Sequence, residues 1–397
     1  MPHHILFLCH PDHGHVIPNL AVVAELAGRG HRVSYLTAES MAELTSNAGA
    51  TTIRYDSRYK QADFHSVARD PWYLLSLLLD ESARMLDAAE AELGEDRPDL
   101  IVYDTSILHA GRILARKWGV PAAQLIPMFA SNESFSYLNA MFNPDGAEGA
   151  LPGWVHDMLA NIAALAARHG VDAPPQELWW EIPDFSLVNI PREFQYAGDS
   201  FDERFAFVGP CVGDRGFLGS WEPPGSGLPV ALVSFGAVFN EHPDFFRTCV
   251  RAFTGAPFHA VMTVADGLDP AELGELPSNV EVHRWVPHVA VLAHASAAVT
   301  HGGMGTVMEA LHAGRPMVVI PTSAIDAVTA RRIAELGLGV TMDPAEVTAE
   351  RLVAAVRTVI EDDAVRAAAE RMRGHVHAAG GTARAAGELE KYLTRSR

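Results

Sequence analysis

The stretch VTHGGMGTVMEALHAGRPMVVIP, residues 299–321, combines the features that decide the fold. The apolar run Ala297–Thr300 predicts a strand, the glycine-rich segment after it a turn, the next residues a helix, and Met317–Pro321 a second strand. Strand, turn, helix and strand in this order make a βαβ unit. Glycines in such a turn let the backbone approach an anion, which N–H groups and the positive end of the helix can hold. His301 adds a hydrogen bond or a positive charge, so the stretch indicates a phosphate-bearing ligand.

Two interpretations of this turn compete. The glycines could serve only the geometry of a tight turn, because the pattern matches neither the dinucleotide fingerprint nor the Gly-Lys-Ser/Thr phosphate loop. Glu309 favours the phosphate interpretation, since a carboxylate in the first turns of the helix can accept hydrogen bonds from ribose hydroxyls. An acidic residue there could equally be a surface group that stabilises the helix dipole.

Length and composition define the class of protein. A chain of 397 residues, 48% hydrophobic and 20% charged, is expected to form two domains of a globular protein. Its formal net charge of −19 argues against binding to nucleic acid or to anionic membranes. Cys9, Cys211 and Cys249 have no paired spacing and predict neither disulfides nor a zinc site. Because no signal peptide and no apolar run of transmembrane length is visible, the expected location is the cytoplasm.

Strand and helix patterns alternate in both halves of the chain, which predicts the α/β class. The first half has predicted strands at 4–10, 32–37, 51–56, 100–104 and 122–127 and helices at 17–27 and 108–118, and the second half starts with a strand at 230–236. The segment between them is rich in glycine and proline and is typical of a linker. We predict an N-terminal domain over residues 1–212, a linker over 213–229, a second domain over 230–376, and a C-terminal helix over 377–397 that packs back on the first domain. Two Rossmann-like, doubly wound parallel sheets would face a deep cleft, with ligands at the carboxyl ends of the strands.

Three histidines follow the first predicted strand, in HPDHGHVIP at residues 10–18. His10, His13 and His15 could suggest a metal site, but no cysteine or well-spaced acidic ligand completes one. An imidazole also suits general-base work on a hydroxyl group, and a carboxylate on its second nitrogen would orient it. Asp104 is the candidate, because it ends the strand LIVYD at the same edge of the sheet. On its own, Asp104 could also be a helix cap or a solvated turn residue.

Four motifs together resemble the two-domain GT-B glycosyltransferases. They are GHVIP after the first strand, YD at 103–104, the tripeptide Trp285-Val286-Pro287, and HGGMGT followed by Glu309. More narrowly, the chain resembles the bacterial natural-product branch that glycosylates macrolides and enediynes, and it is similar in detail to the calicheamicin-type glycosyltransferases. The likeness extends over nearly the whole chain, including FDERFAFVGP before the linker and GGTARAA near the C-terminus.

The resemblance implies a role for each matching residue. His15 would be the general base that takes the proton of the acceptor hydroxyl, with Asp104 as its orienting partner. The second domain would bind the nucleotide-sugar donor. The implied contacts are Trp285 and Val286 with the base, Glu309 with the ribose, His301, Gly303, Met304, Gly305 and Thr306 with the pyrophosphate, and Ser234, Gly236 and Asn240 in a loop that approaches the phosphates.

The reaction implied by the resemblance is an inverting transfer that expels a nucleoside diphosphate. Negative charge would build up on the leaving phosphate, where His301 and the helix N-terminus can stabilise it. The chain contains no Asp-x-Asp, the usual carboxylate pair for a nucleotide-bound divalent metal. We therefore expect no cofactor and a transfer that needs no metal ion.

Two residues after the Met317–Pro321 strand indicate the type of donor sugar. Relatives that use hexoses place an Asp-Gln pair here to grip sugar hydroxyls, and the matching positions in this chain are Ile325 and Asp326. An isoleucine cannot accept a hydrogen bond, which favours a deoxysugar on dTDP over UDP-glucose. A shift of one residue in the alignment would put Asp326 in the gripping position. His288 stands where many relatives carry Gln after Trp-x-Pro, which is a second departure, at the nucleotide end of the site.

The acceptor is indicated only by composition. Aromatic residues and methionines crowd the irregular parts of the first domain: Trp72, Met128, Phe129, Phe135, Tyr137, Met141, Phe142, Trp154, Trp179 and Trp180. About half are expected to be core residues, and the others could line a large apolar pocket for a polyketide or enediyne aglycone. The sequence leaves open the aglycone, the hydroxyl attacked, the deoxysugar and whether the protein forms a homodimer.

Two other classes of protein share these features. A catalytically silent relative that serves as a partner protein would have no reason to keep His15 with Asp104. A GT-B nucleotide-sugar epimerase would share the phosphate site but would need no aglycone pocket. Products formed from a nucleotide sugar alone would separate the epimerase from the transferase, since only the epimerase acts without an acceptor.

Overall fold

The computed structural model describes residues 2–59, 71–142, 153–213, 217, 219–236 and 242–396. The chain divides into two units. Unit 1 comprises Met1–Tyr137, Asp145–Gly213 and Gly380–Arg397, and unit 2 comprises Leu138–Pro144 and Asp214–Ala379. None of the helices in the described ranges has the length and apolar character needed to cross a membrane.

Unit 1 is built on a parallel sheet whose described strands run in the order β3-β2-β1-β4-β5-β6-β7. The strands are β1 His4–Leu8, β2 Arg32–Ala38, β3 Thr51–Tyr55, β4 Leu100–Asp104, β5 Ala122–Ile126, β6 Ser186–Val188 and β7 Phe205–Phe207. Every residue of β1 and β4 is buried, as expected of parallel strands that are covered by helices on both faces.

Unit 2 repeats this plan with the strand order β10-β9-β8-β11-β12-β13, again with parallel neighbours. The strands are β8 Val230–Ser234, β9 His259–Thr263, β10 Val280–His283, β11 Ala295–Thr300, β12 Met317–Val319 and β13 Gly339–Thr341. In both units the chain adds strands on one side of the first strand and then on the other, which is the doubly wound order. The predicted α/β class with two Rossmann-like sheets is therefore confirmed.

Helices connect the strands. In chain order they are α1 His13–Gly28, α2 Ala42–Asn47, α3 Pro71–Leu93, α4 Leu108–Trp118, α5 Tyr137–Phe142, α6 Gly153–Arg168, α7 Pro175–Trp180, α8 Pro243–Phe253, α9 His288–His294, α10 Met304–His312, α11 Ala324–Glu335, α12 Ala349–Glu361, α13 Asp363–Ala378 and α14 Gly381–Arg395. Single 3₁₀ turns occur at Glu39–Met41, Thr105–Ile107, Gly198–Ser200, Pro270–Leu273 and Pro344–Glu346.

The two faces of the first sheet carry separate cores. On one face α1 packs against α14, whose Ala385, Ala386, Leu389 and Leu393 are all buried in the same cluster as the apolar side chains of α1. On the other face α3, α4, α6 and α7 supply a second cluster. The last helix of the chain therefore belongs to unit 1 and supports the helix that follows β1.

The start of α1 differs from the sequence prediction. The helix begins at His13 and not at Ile17, because the Asp12 carboxylate accepts a hydrogen bond from the Gly14 N–H at 2.6 Å and caps the first turn. His15 consequently lies in the first turn of a helix, and the helix determines the direction of its side chain.

Candidate active site

Two side chains from distant parts of the sequence meet where β1 and β4 lie side by side. His15 is in the first turn of α1, the helix that follows β1, and Asp104 is the last residue of β4. Their contact joins His15 Nδ1 to Asp104 Oδ2 at 2.8 Å. This is the point at which the strand order reverses, where doubly wound sheets place their ligands.

His15 and Asp104 differ in how far their side chains are exposed and in their hydrogen bonds. The Asp104 side chain is fully buried, whereas 17% of the His15 side chain remains accessible. The Ser106 N–H donates to Asp104 Oδ1 at 2.7 Å, so both carboxylate oxygens have a donor. We assign the Nδ1 proton to the bond with Asp104, which leaves Nε2 as a proton acceptor.

The charges of the pair determine its protonation. Burial by itself favours a neutral imidazole, but the Asp104 charge and the hydrogen bond to it outweigh burial and raise the pKa of His15. Burial likewise opposes ionisation of Asp104, and the contacts with His15 and the Ser106 N–H more than compensate, so the pKa of Asp104 is lowered. The arrangement can accept a proton on Nε2 and stabilise the resulting imidazolium.

His10 lies beside His15 in the same turn. Burial lowers the pKa of His10 to about 4, and the adjacent His15 adds to that shift, so His10 is neutral near pH 7. Its ring packs edge-on against those of His15 and Tyr59, with centroids 5.2 and 4.0 Å apart. Among the described residues, no group of three or more His, Cys, Asp or Glu side chains is arranged to hold a metal ion.

Sequence reasoning missed the residues that support His10. The buried Glu81 of α3 accepts hydrogen bonds from the Tyr55 and Ser57 hydroxyls and from the Arg58 N–H, which holds the segment after β3 in place. The next residue, Tyr59, packs its ring edge-on against that of His10. Glu81 lies on α3 and is far in the sequence from Tyr55, Ser57 and Arg58, so no local pattern indicates these contacts.

The predicted phosphate turn lies in unit 2 between β11 and α10. His301 directly follows β11 and is almost completely buried. Glycines surround its ring, because a Cβ atom added to Gly303 would lie 2.5 Å from His301 Nε2, and one added to Gly236 would lie 2.8 Å from Cε1. Gly303 precedes the first turn of α10, and no side chain caps that helix. The structure therefore brings His301, Gly236 and the start of α10 together.

The other residues predicted to contact the phosphates differ in exposure. Ser234 ends β8 and is buried, and its hydroxyl lies 3.4 Å from the Gly236 nitrogen. Thr306 is buried, Gly305 is exposed and Met304 is half-buried in the first turn of α10. Asn240 lies outside the described residues.

Asp326 faces the buried histidine. Its Oδ1 lies 3.9 Å from His301 Nε2, and its Oδ2 accepts hydrogen bonds from the Thr322 N–H at 3.1 Å and the Thr322 hydroxyl at 2.9 Å. Burial lowers the pKa of His301, and the Asp326 charge opposes that shift only in part. The neighbouring Ile325 is 36% exposed. An apolar side chain thus occupies the accessible position of the pair, and the carboxylate is turned inward.

The predicted base contacts lie just before α9, and the predicted ribose contact lies within α10. Trp285 is half-buried and Val286 buried, just before α9. Glu309 lies in the second turn of α10, and its Oε2 is 3.4 Å from Nδ1 of His288. The sequence marked His288 only as a departure from relatives, and its contact with Glu309 becomes visible only in the fold.

The aromatic residues and methionines that the sequence divides between core and acceptor pocket differ in burial. Phe129, Tyr137 and Trp179 are in the core, Trp180 is exposed, and the remaining described members, Trp72, Met128, Phe135, Met141 and Trp154, are half-buried. The Phe142 side chain lies outside the described residues. The rings of Trp72, Trp154, Trp179 and Trp180 follow one another at centroid distances of 6.3, 6.3 and 5.0 Å.

Comparisons with known proteins identify the family. Residues 257–391 match the family described as erythromycin biosynthesis protein CIII-like, C-terminal domain. Demethyllactenocin mycarosyltransferase from Streptomyces fradiae is 40% identical over 402 residues, which cover 98% of this chain and 87% of that protein. The chain belongs to this family of antibiotic glycosyltransferases.

This glycosyltransferase is also similar to a second macrolide enzyme and to a solved structure. Oleandomycin glycosyltransferase from Streptomyces antibioticus is 35% identical, and the match covers 99% of this chain and 91% of that protein. The crystal structure of CalG4, the calicheamicin glycosyltransferase, is 42% identical with a TM-score of 0.86, covering 100% of this chain and 99% of that one. The predicted resemblance to macrolide and enediyne glycosyltransferases of the GT-B fold is confirmed.

Proposed function

We propose that this glycosyltransferase moves a deoxysugar from a dTDP-sugar to a hydroxyl group of a hydrophobic natural product and inverts the anomeric centre. The observation that carries the proposal is the 2.8 Å contact between His15 Nδ1 and the buried Asp104. This pair is what proton abstraction from a hydroxyl group requires: an oriented imidazole with a second nitrogen that can accept the proton, and a carboxylate that stabilises its charged form.

The reaction balances with these groups. His15 Nε2 takes the proton of the acceptor hydroxyl as its oxygen forms a bond to C1 of the sugar. The bond from C1 to the phosphate oxygen breaks on the opposite face, and the nucleoside diphosphate leaves with the electron pair. Asp104 stabilises the imidazolium while negative charge develops on the leaving phosphate.

The donor is assigned to unit 2. The uncapped N-terminus of α10 and the enclosed His301 offer N–H donors to the two phosphates, and Glu309, Trp285 and Val286 are assigned to the ribose and base. The exposed Ile325 supports a sugar that lacks the hydroxyl group at the position it contacts, because an apolar surface would leave that group unpaired. The half-buried and exposed aromatic residues of unit 1 are assigned to the acceptor.

Three measurements test the proposal. His15→Ala should lower turnover by roughly 10²- to 10⁴-fold with an acceptor aglycone, whereas His13→Ala, in the same helical turn, should not. Titration calorimetry should show that the protein binds dTDP more tightly than UDP. The His301→Ala variant should bind dTDP about tenfold to a hundredfold more weakly than the wild type. The anomeric configuration of the product, read by NMR, should be opposite to that of the donor.

Each alternative has a distinct outcome in these experiments. A change of the nucleotide sugar in the absence of any acceptor would indicate an epimerase. Near wild-type turnover in His15→Ala would mean that His15 is not the general base. Absence of turnover with every acceptor would indicate a silent partner protein. Tighter binding of UDP than of dTDP would overturn the deoxysugar argument.

A further inference from the structure

Pro18 leaves the start of α1, the helix that carries His15, one backbone hydrogen bond short. In a regular helix the N–H at position 18 would donate to the Gly14 carbonyl, but proline has no N–H. The side chain of Asn19 supplies a donor beside this gap, because its Nδ2 lies 2.7 Å from the carbonyl oxygen of His15. Asn19 is buried, so water competes weakly for this bond. A side chain therefore holds the turn that carries His15.

The same amide group connects this turn to the sheet. Nδ2 of Asn19 also donates to Cys9 Sγ at 3.6 Å, and Cys9 directly follows β1. The Cys9 thiol lies 4.0 Å from Asp104 Oδ2, the oxygen that accepts the hydrogen bond from His15. Burial and the Asp104 charge raise the pKa of Cys9, so the thiol keeps its proton and can donate a hydrogen bond to the carboxylate. The contacts of His15, Asn19, Cys9 and Asp104 thus form a closed ring.

This ring determines the orientation of the Asn19 amide. The His15 carbonyl oxygen only accepts hydrogen bonds, so the nitrogen of the amide has to face it. An apolar side chain of similar size would fill the same space but would donate neither to the carbonyl nor to Cys9. Packing alone does not require an amide at position 19, whereas holding the turn requires its donors.

We infer that Asn19 is a positioning residue that holds His15 at hydrogen-bonding distance from Asp104. The inference rests on the proposed function, in which His15 is the general base. Asn19 acts through the backbone of His15, since the amide bonds the carbonyl oxygen and not the imidazole. A displaced first turn would lengthen the contact between His15 Nδ1 and Asp104 Oδ2, which orients the base and raises its pKa.

Two substitutions that differ by one hydroxyl group test the inference. Asn19→Ala removes both donors, whereas Asn19→Ser restores one, because a helical serine can donate to the carbonyl oxygen four residues before it. With an acceptor aglycone, Asn19→Ala should lower kcat about tenfold, and Asn19→Ser should stay within about threefold of the wild type. The affinity for dTDP, measured by calorimetry, should be unchanged in both, because the donor is assigned to unit 2. Equal kcat values for the two variants would mean that only packing matters and would overturn the inference.

The pH–rate profile gives a readout that a loss of packing would not move. The titratable groups next to His15 are Asp104, Asp12 and His10, and neither variant alters them. A longer contact with Asp104 raises the pKa of His15 less, so the acidic limb of kcat/KM should move to lower pH in Asn19→Ala and return in Asn19→Ser. An acidic limb that stays in place in Asn19→Ala would overturn the inference.

Two controls separate this inference from the proposed function. Asn47→Ala removes an exposed asparagine at the end of α2 in the same unit and should change neither kcat nor the acidic limb. In a His15→Ala background, Asn19→Ala should lower the residual turnover by less than about twofold, since its effect passes through the imidazole. Wild-type turnover in His15→Ala would refute the proposed base and this inference together. A large loss in His15→Ala with wild-type turnover in Asn19→Ala would refute only the positioning role.

Discussion

The contact between His15 and Asp104 links the protonation of the candidate base to one buried carboxylate. Asp104 has no exposed surface, and its lowered pKa keeps it ionised throughout the neutral range. Its charge raises the pKa of His15 against the effect of burial. A base of this kind acts when it is neutral, so activity should rise with pH as His15 loses its proton.

Replacement of Asp104 by asparagine tests this link. Without the negative charge the pKa of His15 falls, so the acidic limb of the pH–rate profile should move to lower pH. The plateau rate should also fall, because asparagine cannot stabilise an imidazolium, but by less than the roughly 10²- to 10⁴-fold expected for loss of the base. The measurement is kcat/KM against pH.

The exposed Asp199 provides a matched control, since Asp199→Asn removes a surface carboxylate of the same unit and should leave the limb in place. An acidic limb that stays at the same pH in Asp104→Asn would mean that His15 is not the group that titrates.

The start of α10 depends on glycine because a side chain there would enter the space of His301. Gly303 has φ −59° and ψ 130°, which alanine adopts freely, so the only obstacle is the added Cβ, 2.5 Å from His301 Nε2. Gly303→Ala should therefore displace the imidazole and weaken nucleoside diphosphate binding by about tenfold, while the chain stays folded.

Calorimetry with dTDP, together with circular dichroism, measures both effects. Gly374→Ala is the control, because a Cβ atom at this position in α13 meets nothing within 4 Å. An unchanged affinity for dTDP in Gly303→Ala would mean that the position of His301 does not matter for phosphate binding.

The packing of α14 on α1 connects the end of the chain to the helix that carries His15. Leu389 is completely buried between them, and Glu390 contacts Arg29 at 2.6 Å and His31 at 2.9 Å. Leu389→Ala should lower the stability of unit 1 by about 2–5 kcal/mol through lost burial and the cavity left behind.

A drop of several degrees in the melting temperature of unit 1 would report this loss. Lys391→Ala, on the exposed side of the same helix, should change it little. A Leu389→Ala protein as stable as the wild type would mean that α14 contributes no packing to α1.

The formal net charge of −19 is the property of the whole molecule that most constrains an anionic donor. The overall field repels a nucleoside diphosphate, so binding has to come from local dipoles and from a few side chains. We expect these groups to be sufficient without a divalent cation. Prolonged treatment with a chelator should leave the rate of transfer essentially unchanged, as measured by product formation before and after dialysis. Lost activity that magnesium or manganese restores would contradict the expectation.

The sequence by itself determined the elements and the order in which they occur. Buried strands such as Leu100–Asp104 and the helix Leu108–Trp118 agree with their predicted bounds, because apolar periodicity and glycine stops are local properties of the chain. Alternation of strands and helices then restricts the topology to parallel sheets with right-handed connections. This is enough to bring the ends of β1 and β4, and with them His15 and Asp104, to one edge.

Only the tertiary structure decided which polar side chains contact one another within each unit. The contacts of His288 with Glu309, of Asp326 with Thr322 and His301, and of Glu81 with the segment before Tyr59 join side chains on separate elements. No hydrophobic pattern records such pairs, since the free energy of each contact depends on a separation of a few tenths of an ångström and on burial. These quantities exist only once the elements have packed.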